Sequence, residues 1–329
     1  MRIGYSYWGI CADYNDHFNS VDTADGSRYT RPILVRELLK RGHTVIAQQQ
    51  RLERVPFRDM MYDYPPFLDI DLLLLEWRWP TYKNYGPGHK DPDLDRQQEL
   101  IQYYHGKCPI VVWDLDNQYK NEVPGAIVAE PSLNPREGRV QLMPCTDWRP
   151  LFPVREPLPI YGYVGNNYDR RGAFDSYYFE PARHLKRIGI QTTMIGNWLQ
   201  KSPARESPED LVMRTIANFV LRLDWATSMA LMNKFVCTTH VSKPDYEKLG
   251  FVPPRYLEAA ICGCPALTPL GAVLPIKSVD PLDVADAVER IKGFNSRQRT
   301  AYVINQIDTL RATELFDVSK AVKTLEELA

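Results

Sequence analysis

The sequence predicts an α/β protein built as two Rossmann-like, doubly wound domains facing a cleft. Three observations lead there. Short apolar strand patterns alternate with amphipathic helical ones along the 329-residue chain. Residues 149–159, "RPLFPVREPLP", carry four prolines and no periodicity, which marks a linker. The strand–helix rhythm restarts after it, so each half holds a sheet of its own.

The elements follow in order. Residues 1–8, "MRIGYSYW", open as a strand, and a polar loop covers 12–29. In "TRPILVRELLKRGHTVIA", a proline stands near a helix start and leucines recur at helical spacing. Gly42 stops the helix and a second strand follows. Strands are expected at 71–77 and 109–115, with an amphipathic helix over 91–106 between them. "GAIVAEP" and "RVQLMP" read as shorter strands at the sheet edge. In the second half, strands are expected at 160–166, 192–197, 235–240 and 264–269, with a helix over 176–190. A short helix follows Pro253 and Pro254, and the chain ends in three helices.

Composition narrows the function classes. Hydrophobic residues make up 44%, enough for sizeable cores, and 40 basic residues balance 41 acidic ones. A net charge of -1 gives no bulk field toward nucleic acid or an anionic membrane, so any such contact needs a local basic patch. Cys11, Cys108, Cys145, Cys237, Cys262 and Cys264 are scattered among apolar neighbours and read as buried, reduced thiols. The N-terminus reads as a strand and not as a signal core. No apolar run nears the roughly 18 residues a membrane span needs. The expected location is the cytoplasm.

Four constellations carry chemistry. In "GFVPPRYLEAAICGCPALTP", Arg255 and Glu258 share one face at the start of a short helix. Amide donors and a guanidinium there suit a diphosphate, and a carboxylate one turn deeper suits the vicinal hydroxyls of a ribose. The plainer reading is a surface ion pair worth about 0.2–0.5 kcal/mol. In "YGYVGNNYDRRGAF", a strand runs into Gly165, Asn166 and Asn167, then Arg170 and Arg171: a glycine for close approach and cations for phosphate. Gly196 and Asn197 repeat the strand-end glycine and are candidates for the base pocket. The loop after the first strand holds Asp13, Asp16, His17, Asp22, Asp25 and Gly26. Asp114, Asp25 and Glu76 are the candidate general bases, the first and last standing at carboxyl ends of strands. In "EWRWPTYKNYGPGHK", Trp77, Arg78 and Trp79 are candidates for stacking on an acceptor, joined by His17 from the first loop.

The stretch "PPRYLEAAICGCPALTP" resembles the donor-site signature of GT-B glycosyltransferases, an Arg-x-x-Glu at a helix start followed by small residues. With the arginine loop before it and the opening "GYSYWG…DTADGSRYTRPILVRELLKRGHTV", it is similar to the DNA-modifying glycosyltransferases of bacteriophages. The resemblance lies in the order and spacing of a few motifs. It implies a GT-B fold with residues 1–152 on the acceptor side, 153–310 binding the nucleotide sugar, and 311–329 a helix returning to the first domain. It implies transfer of a sugar from a nucleotide donor, a UDP-hexose such as UDP-glucose, to a hydroxyl acceptor. A 5-hydroxymethylpyrimidine of phage DNA is one such acceptor, and the location is then the host cytoplasm. Arg255 would contact the diphosphate, Glu258 the ribose, and Gly26 the donor phosphate or sugar. Retaining members often carry a second glutamate eight residues before the first; here that position is Gly250. "DLD" at 114–116 is read as no metal site, because arginines take up leaving-group charge in this fold, although Mg²⁺ or Mn²⁺ stimulating product release is compatible. A non-catalytic nucleotide or sugar sensor and a nucleotide-sugar epimerase are the alternatives.

Overall fold

A computed structural model describes residues 1–6, 10–11, 27–48, 51–52, 66–77, 92–166, 170–196, 198, 208–221, 223–272 and 274–329. The first half contains β1 (Arg2–Ser6), β2 (Ile10–Cys11), α1 (Ser27–Lys40), β3 (Thr44–Ala47), β4 (Arg51–Leu52) and β5 (Leu72–Glu76). It continues with α2 (Pro92–Tyr104), β6 (Ile110–Trp113), β7 (Ile127–Glu130) and β8 (Arg139–Gln141). Six of these strands form one parallel sheet in the order β3-β1-β5-β6-β7-β8. The run of four leucines in β5 shows why an unbroken apolar strand belongs here. Leu72 and Leu74 meet the layer containing Leu34 and Leu38 of α1, while Leu73 and Leu75 meet Leu100 and Tyr104 of α2.

The second half begins with β9 (Ile160–Val164), α3 (Arg171–Phe174), a π turn at Asp175–Phe179, and α4 (Glu180–Arg187). Then come β10 (Gln191–Ile195), α5 (Pro208–Ile216), β11 (Asn218–Val220), α6 (Trp225–Met232) and β12 (Thr238–Thr239). The rest is α7 (Pro244–Leu249), α8 (Arg255–Ile261), β13 (Ala266–Pro269), β14 (Ser278–Val279), α9 (Val284–Lys292), α10 (Ser296–Ala312) and α11 (Val318–Leu328). β11-β10-β9 and β12-β13-β14 are parallel ladders, and a parallel bridge between Tyr161 and Cys237 joins β9 to β12. The combined order is the doubly wound one, with its switch point between β9 and β12. The helix expected over 176–190 starts earlier, at Arg171. An i,i+4 pair, Arg171 Nε to Asp175 Oδ1 at 3.0 Å, supports the added turn. The π turn lies just ahead of Pro181, whose ring and missing N–H disfavour a regular turn.

The two halves are tied at both ends. Ser132 and Phe251 form an antiparallel bridge; Leu133 N–H donates to Gly250 O at 2.9 Å and Val252 N–H to Pro131 O at 2.8 Å. The Tyr246 hydroxyl donates across to Asp116, 3.0 Å from its carbonyl oxygen and 3.2 Å from Oδ1. Gly250 ends α7 with φ +64°, so the position where a retaining enzyme often has glutamate is here a left-handed cap. The last helix does return: Ala321, Val322 and Leu325 of α11 share a core with Leu34 and Leu38 of α1. Glu326 meets Arg41 at 3.3 Å and His43 at 2.8 Å. Cys108, Cys145, Cys237, Cys262 and Cys264 are all free thiols. Among the described residues, no helix is long and apolar enough to cross a membrane. Leu325→Ala empties a fully buried site, so its unfolding free energy in urea should fall by about 2–5 kcal/mol. A loss under 0.5 kcal/mol would mean α11 does not dock on the first half.

Candidate functional site

Two strand ends define the floor of the site. β9 runs into Gly165 (φ +149°) and β10 into Gly196 (φ +141°), each the residue after the last paired position, Val164 and Ile195. A Cβ on Gly196 would lie 2.2 Å from the Gly165 carbonyl oxygen, and one on Gly165 would lie 3.2 Å from Arg255 Nε. Glycine is therefore required at both places. Their amides do not face a ligand, since they bond Ile195 O and Val220 O at 2.8 and 3.0 Å. The glycines supply clearance. A cleft opens there, lined by Gly165, Asn166, Gly196, Leu223, Ser228 and Arg255.

Arg255 begins α8 and keeps 19% of its side chain exposed, while that of Glu258 keeps 1%. They pair only loosely, Nη1 to Oε2 at 3.8 Å, and Glu258 Oε1 accepts from the Trp225 indole at 3.1 Å. This is a buried, oriented carboxylate and not an idle surface pair. The expected amide donors of the helix start are spent, however. Tyr256 N–H donates to Pro253 O, and Leu257 and Glu258 N–H to Pro254 O. Positive charge from side chains has to hold any phosphate.

Arg170 supplies a second guanidinium, its Nη1 donating to Asn166 O at 3.0 Å. Its Nε is buried and has no hydrogen-bond partner among the described residues. Arg171, expected beside it, turns away into its pair with Asp175 and lies over the Phe179 ring at 5.8 Å. The i,i+4 partner outcompetes the cleft. Asn167, Asn197, Asp25, Gly26, His17, Arg78 and Trp79 lie outside the described residues.

His240 went unnoticed in the sequence, although it stands where β12 ends beside the switch point. It is 5% exposed, with its ring edge-on to Tyr256 at 3.8 Å. Burial, then the charges of Arg255 and Arg170, hold its pKa down from 6.5 to about 3, against a hydrogen bond to the Arg255 main chain.

The first-half carboxylates divide by environment. Glu76 does not fit the role of base. Its Oε1 accepts from Tyr5 at 2.5 Å and Arg31 Nε at 2.8 Å, and its Oε2 from Arg31 Nη2 at 2.6 Å, all buried. The fork of Arg31 anchors α1 to the ends of β1 and β5. Trp77 is likewise a core residue and not an acceptor contact, 2% exposed and edge-on to Tyr119. Asp114 follows β6 and accepts from the amides of Gln118 at 2.7 Å and Tyr119 at 3.2 Å, with Arg139 Nη1 3.3 Å away. Burial raises its pKa against the pull of those amides, Arg139 and Arg136. Burial would also raise Glu130, but Arg136 and Arg139 outweigh it and hold that carboxyl low. The two aspartates of "DLD" face different partners, since Asp116 receives Tyr246. His184, Asp286 and Glu289 bring ligand atoms within 4.8 Å of one another, yet none of the three lines the cleft.

The neutral histidine gives a pH test. Between pH 6.5 and about 3 the unfolded chain binds a proton that the folded chain refuses. Stability rises with pH through that window and is lost on acidification, by up to about 1.4 kcal/mol per pH unit. In urea titrations His240→Gln should lose stability less steeply than the unsubstituted chain between those values; equal slopes would contradict a neutral, buried imidazole.

Neither a protein-family model nor a curated protein sequence matches this chain. Solved structures do. An alpha-glucosyltransferase (AGT) in complex with UDP superposes with a TM-score of 0.67 at 14% identity, covering 100% of this chain and 99% of that one. The same kind of enzyme with UDP-glucose and DNA containing an abasic site gives 0.66 at 15% identity, with coverage of 100% and 99%. A T4 phage BGT mutant in complex with UDP-glucose gives 0.64 at 13% identity, again covering 100% and 99%. Two doubly wound sheets and a returning last helix, matched over the whole length, make this the GT-B fold.

Proposed function

We propose that the protein is a glycosyltransferase that moves a sugar from a nucleotide donor, a UDP-hexose, to a hydroxyl group. One observation carries this reading: Arg255 stands beside two obligatory strand-end glycines, Arg170 bonds the main chain of the adjoining Asn166, and the buried Glu258 lies one helical turn deeper. Guanidiniums in a largely buried setting match a diphosphate, and they stabilise the charge that grows on it as the sugar leaves. Gly165 and Gly196 give the nucleotide room. Glu258 accepts hydrogen bonds from the ribose. The division at 152 and 310 goes with this reading, the first domain presenting the acceptor and the second the donor.

Proton removal from the acceptor falls to a first-domain carboxylate. Asp114 is the described candidate, because a raised pKa makes a carboxylate a better base; it is buried and bonded to two amides and Arg139, so it can reach an acceptor only when those contacts open. No step here requires a metal ion, and the proposal leaves room for one in product release. The similar enzymes were solved with UDP-glucose and with DNA, which supports UDP-glucose as donor and a 5-hydroxymethylpyrimidine in DNA as acceptor.

Incubation with UDP-glucose and DNA bearing 5-hydroxymethylcytosine should release UDP and add one hexose mass to the base. A sensor would release no UDP, and an epimerase would change the sugar with the diphosphate intact. Arg255→Ala and Glu258→Ala should each weaken donor binding about 10- to 100-fold, the worth of one charged hydrogen bond. Unchanged donor affinity in both variants would refute the site.

A further inference from the structure

A buried polar group that the donor reading leaves unused stands at the switch point. His240 is the first residue past β12, and its amide donates to Leu267 O at 2.8 Å. A strand of two residues would hold it loosely, yet the end of β12 is pinned. The Tyr178 hydroxyl, carried by the π turn, accepts from the Thr239 amide at 2.8 Å and donates to the Thr239 carbonyl at 2.6 Å. Tyr161 Oη lies 2.6 Å from Thr239 Oγ1, and the Tyr161 and Tyr178 rings stack at 4.6 Å. The histidine ring then packs edge-on against Tyr256, the neighbour of Arg255. A side chain locked in this way on a strand end is placed more sharply than one on a loop.

His240 Nε2 is buried and has no hydrogen-bond partner among the described residues. The ring's bond to the Arg255 main chain therefore belongs to its other nitrogen. A neutral imidazole has one donor and one acceptor nitrogen, which leaves Nε2 as the acceptor. The guanidiniums of Arg170 and Arg255 can only donate. His240 offers what they cannot, a lone pair for a hydroxyl, and a ligand that supplies the hydroxyl removes the cost of burying it.

Strand order indicates which part of a donor reaches this nitrogen. β9 has β10 on one side and, through the bridge from Tyr161 to Cys237, β12 on the other. The room for a nucleotide lies at Gly165 and Gly196, on the β10 side. A nucleotide sugar carries its diphosphate in the middle. With the diphosphate on Arg255 and the nucleoside toward β10, the sugar lies toward β12.

We propose that His240 is a specificity-determining residue for the transferred sugar: its Nε2 accepts a hydrogen bond from one hydroxyl of the hexose. This rests on the reading of Arg255 as the diphosphate contact.

Calorimetric titration with UDP and with UDP-glucose tests it, on the full chain and on His240→Phe and His240→Gln, each checked for folding by thermal unfolding. His240→Phe keeps a ring and loses the lone pair. It should weaken UDP-glucose binding about 3- to 10-fold and change UDP binding by less than about twofold. His240→Gln returns an acceptor and should recover most of that loss. Should His240→Phe fail to fold, imidazole nitrogen NMR spectra of the unsubstituted chain decide, with His240 picked out of the six histidines by comparison with His240→Gln. Its Nε2 signal should move farther with UDP-glucose than with UDP. Unchanged UDP-glucose affinity in His240→Phe, equal losses for the two ligands, or equal movement of the Nε2 signal overturns the inference and leaves the donor site standing. Failure of the unsubstituted chain to bind either ligand sinks the donor site itself.

Discussion

The end of β10 lies so close to the Gly165 carbonyl that Gly196 has no room for a side chain, and the rest of the site depends on that contact. With a Cβ on Gly196, the Gly165 carbonyl would have to move; with one on Gly165, the Tyr163 ring, 2.8 Å away, and the Arg255 guanidinium would have to move. Bare backbone at the switch point lets α6 and α8 bring Ser228 and Arg255 to one opening. Trp198 fixes the floor further, its indole donating to Gly165 O at 2.7 Å. Pocket and sheet are thus one structure, and neither is an addition to the other.

Charge is distributed with the same economy. In the first half, buried ions are matched: Arg31 with Glu76, and Arg136 and Arg139 with Glu130. Such pairs seldom add net stability, but they are ruinous to break, so they fix α1 and the ends of β6, β7 and β8 in place. At the cleft the balance differs. Arg170 and Arg255 share their surroundings with a neutral histidine, and Glu258 meets Arg255 only at 3.8 Å. On the proposed reading, the satisfied ions around the cleft hold its guanidiniums in place for an anion. The bridge from Ser132 to Phe251 and the Tyr246–Asp116 bond tie the acidic end of β6 to α7 and the segment that leads into α8.

Much of this was legible in the chain itself. Four leucines in a row, a glycine after an apolar strand, and proline before Arg-x-x-Glu are local signals, and each landed on the element expected of it. Long-range partners were not legible. Nothing near Glu76 in sequence announces Arg31, 45 positions earlier, so a sequestered carboxylate looked like a free base. Trp77 looked available for stacking because its neighbours are polar, yet Tyr119 covers it. Trp225 finds Glu258 across 33 positions, and His240 follows a strand only two residues long. Arg171 had a local competitor, Asp175, that helical spacing reveals once the helix is known to begin earlier.

The central claim is that the guanidiniums of Arg170 and Arg255 hold a donor diphosphate above the paired glycines. A crystal structure of the chain with UDP-glucose tests it most directly. The account predicts phosphate oxygens within about 2.7–3.2 Å of both guanidiniums and ribose hydroxyls at Glu258. Phosphates bound away from both arginines, or a nucleotide seated elsewhere on the molecule, would contradict it.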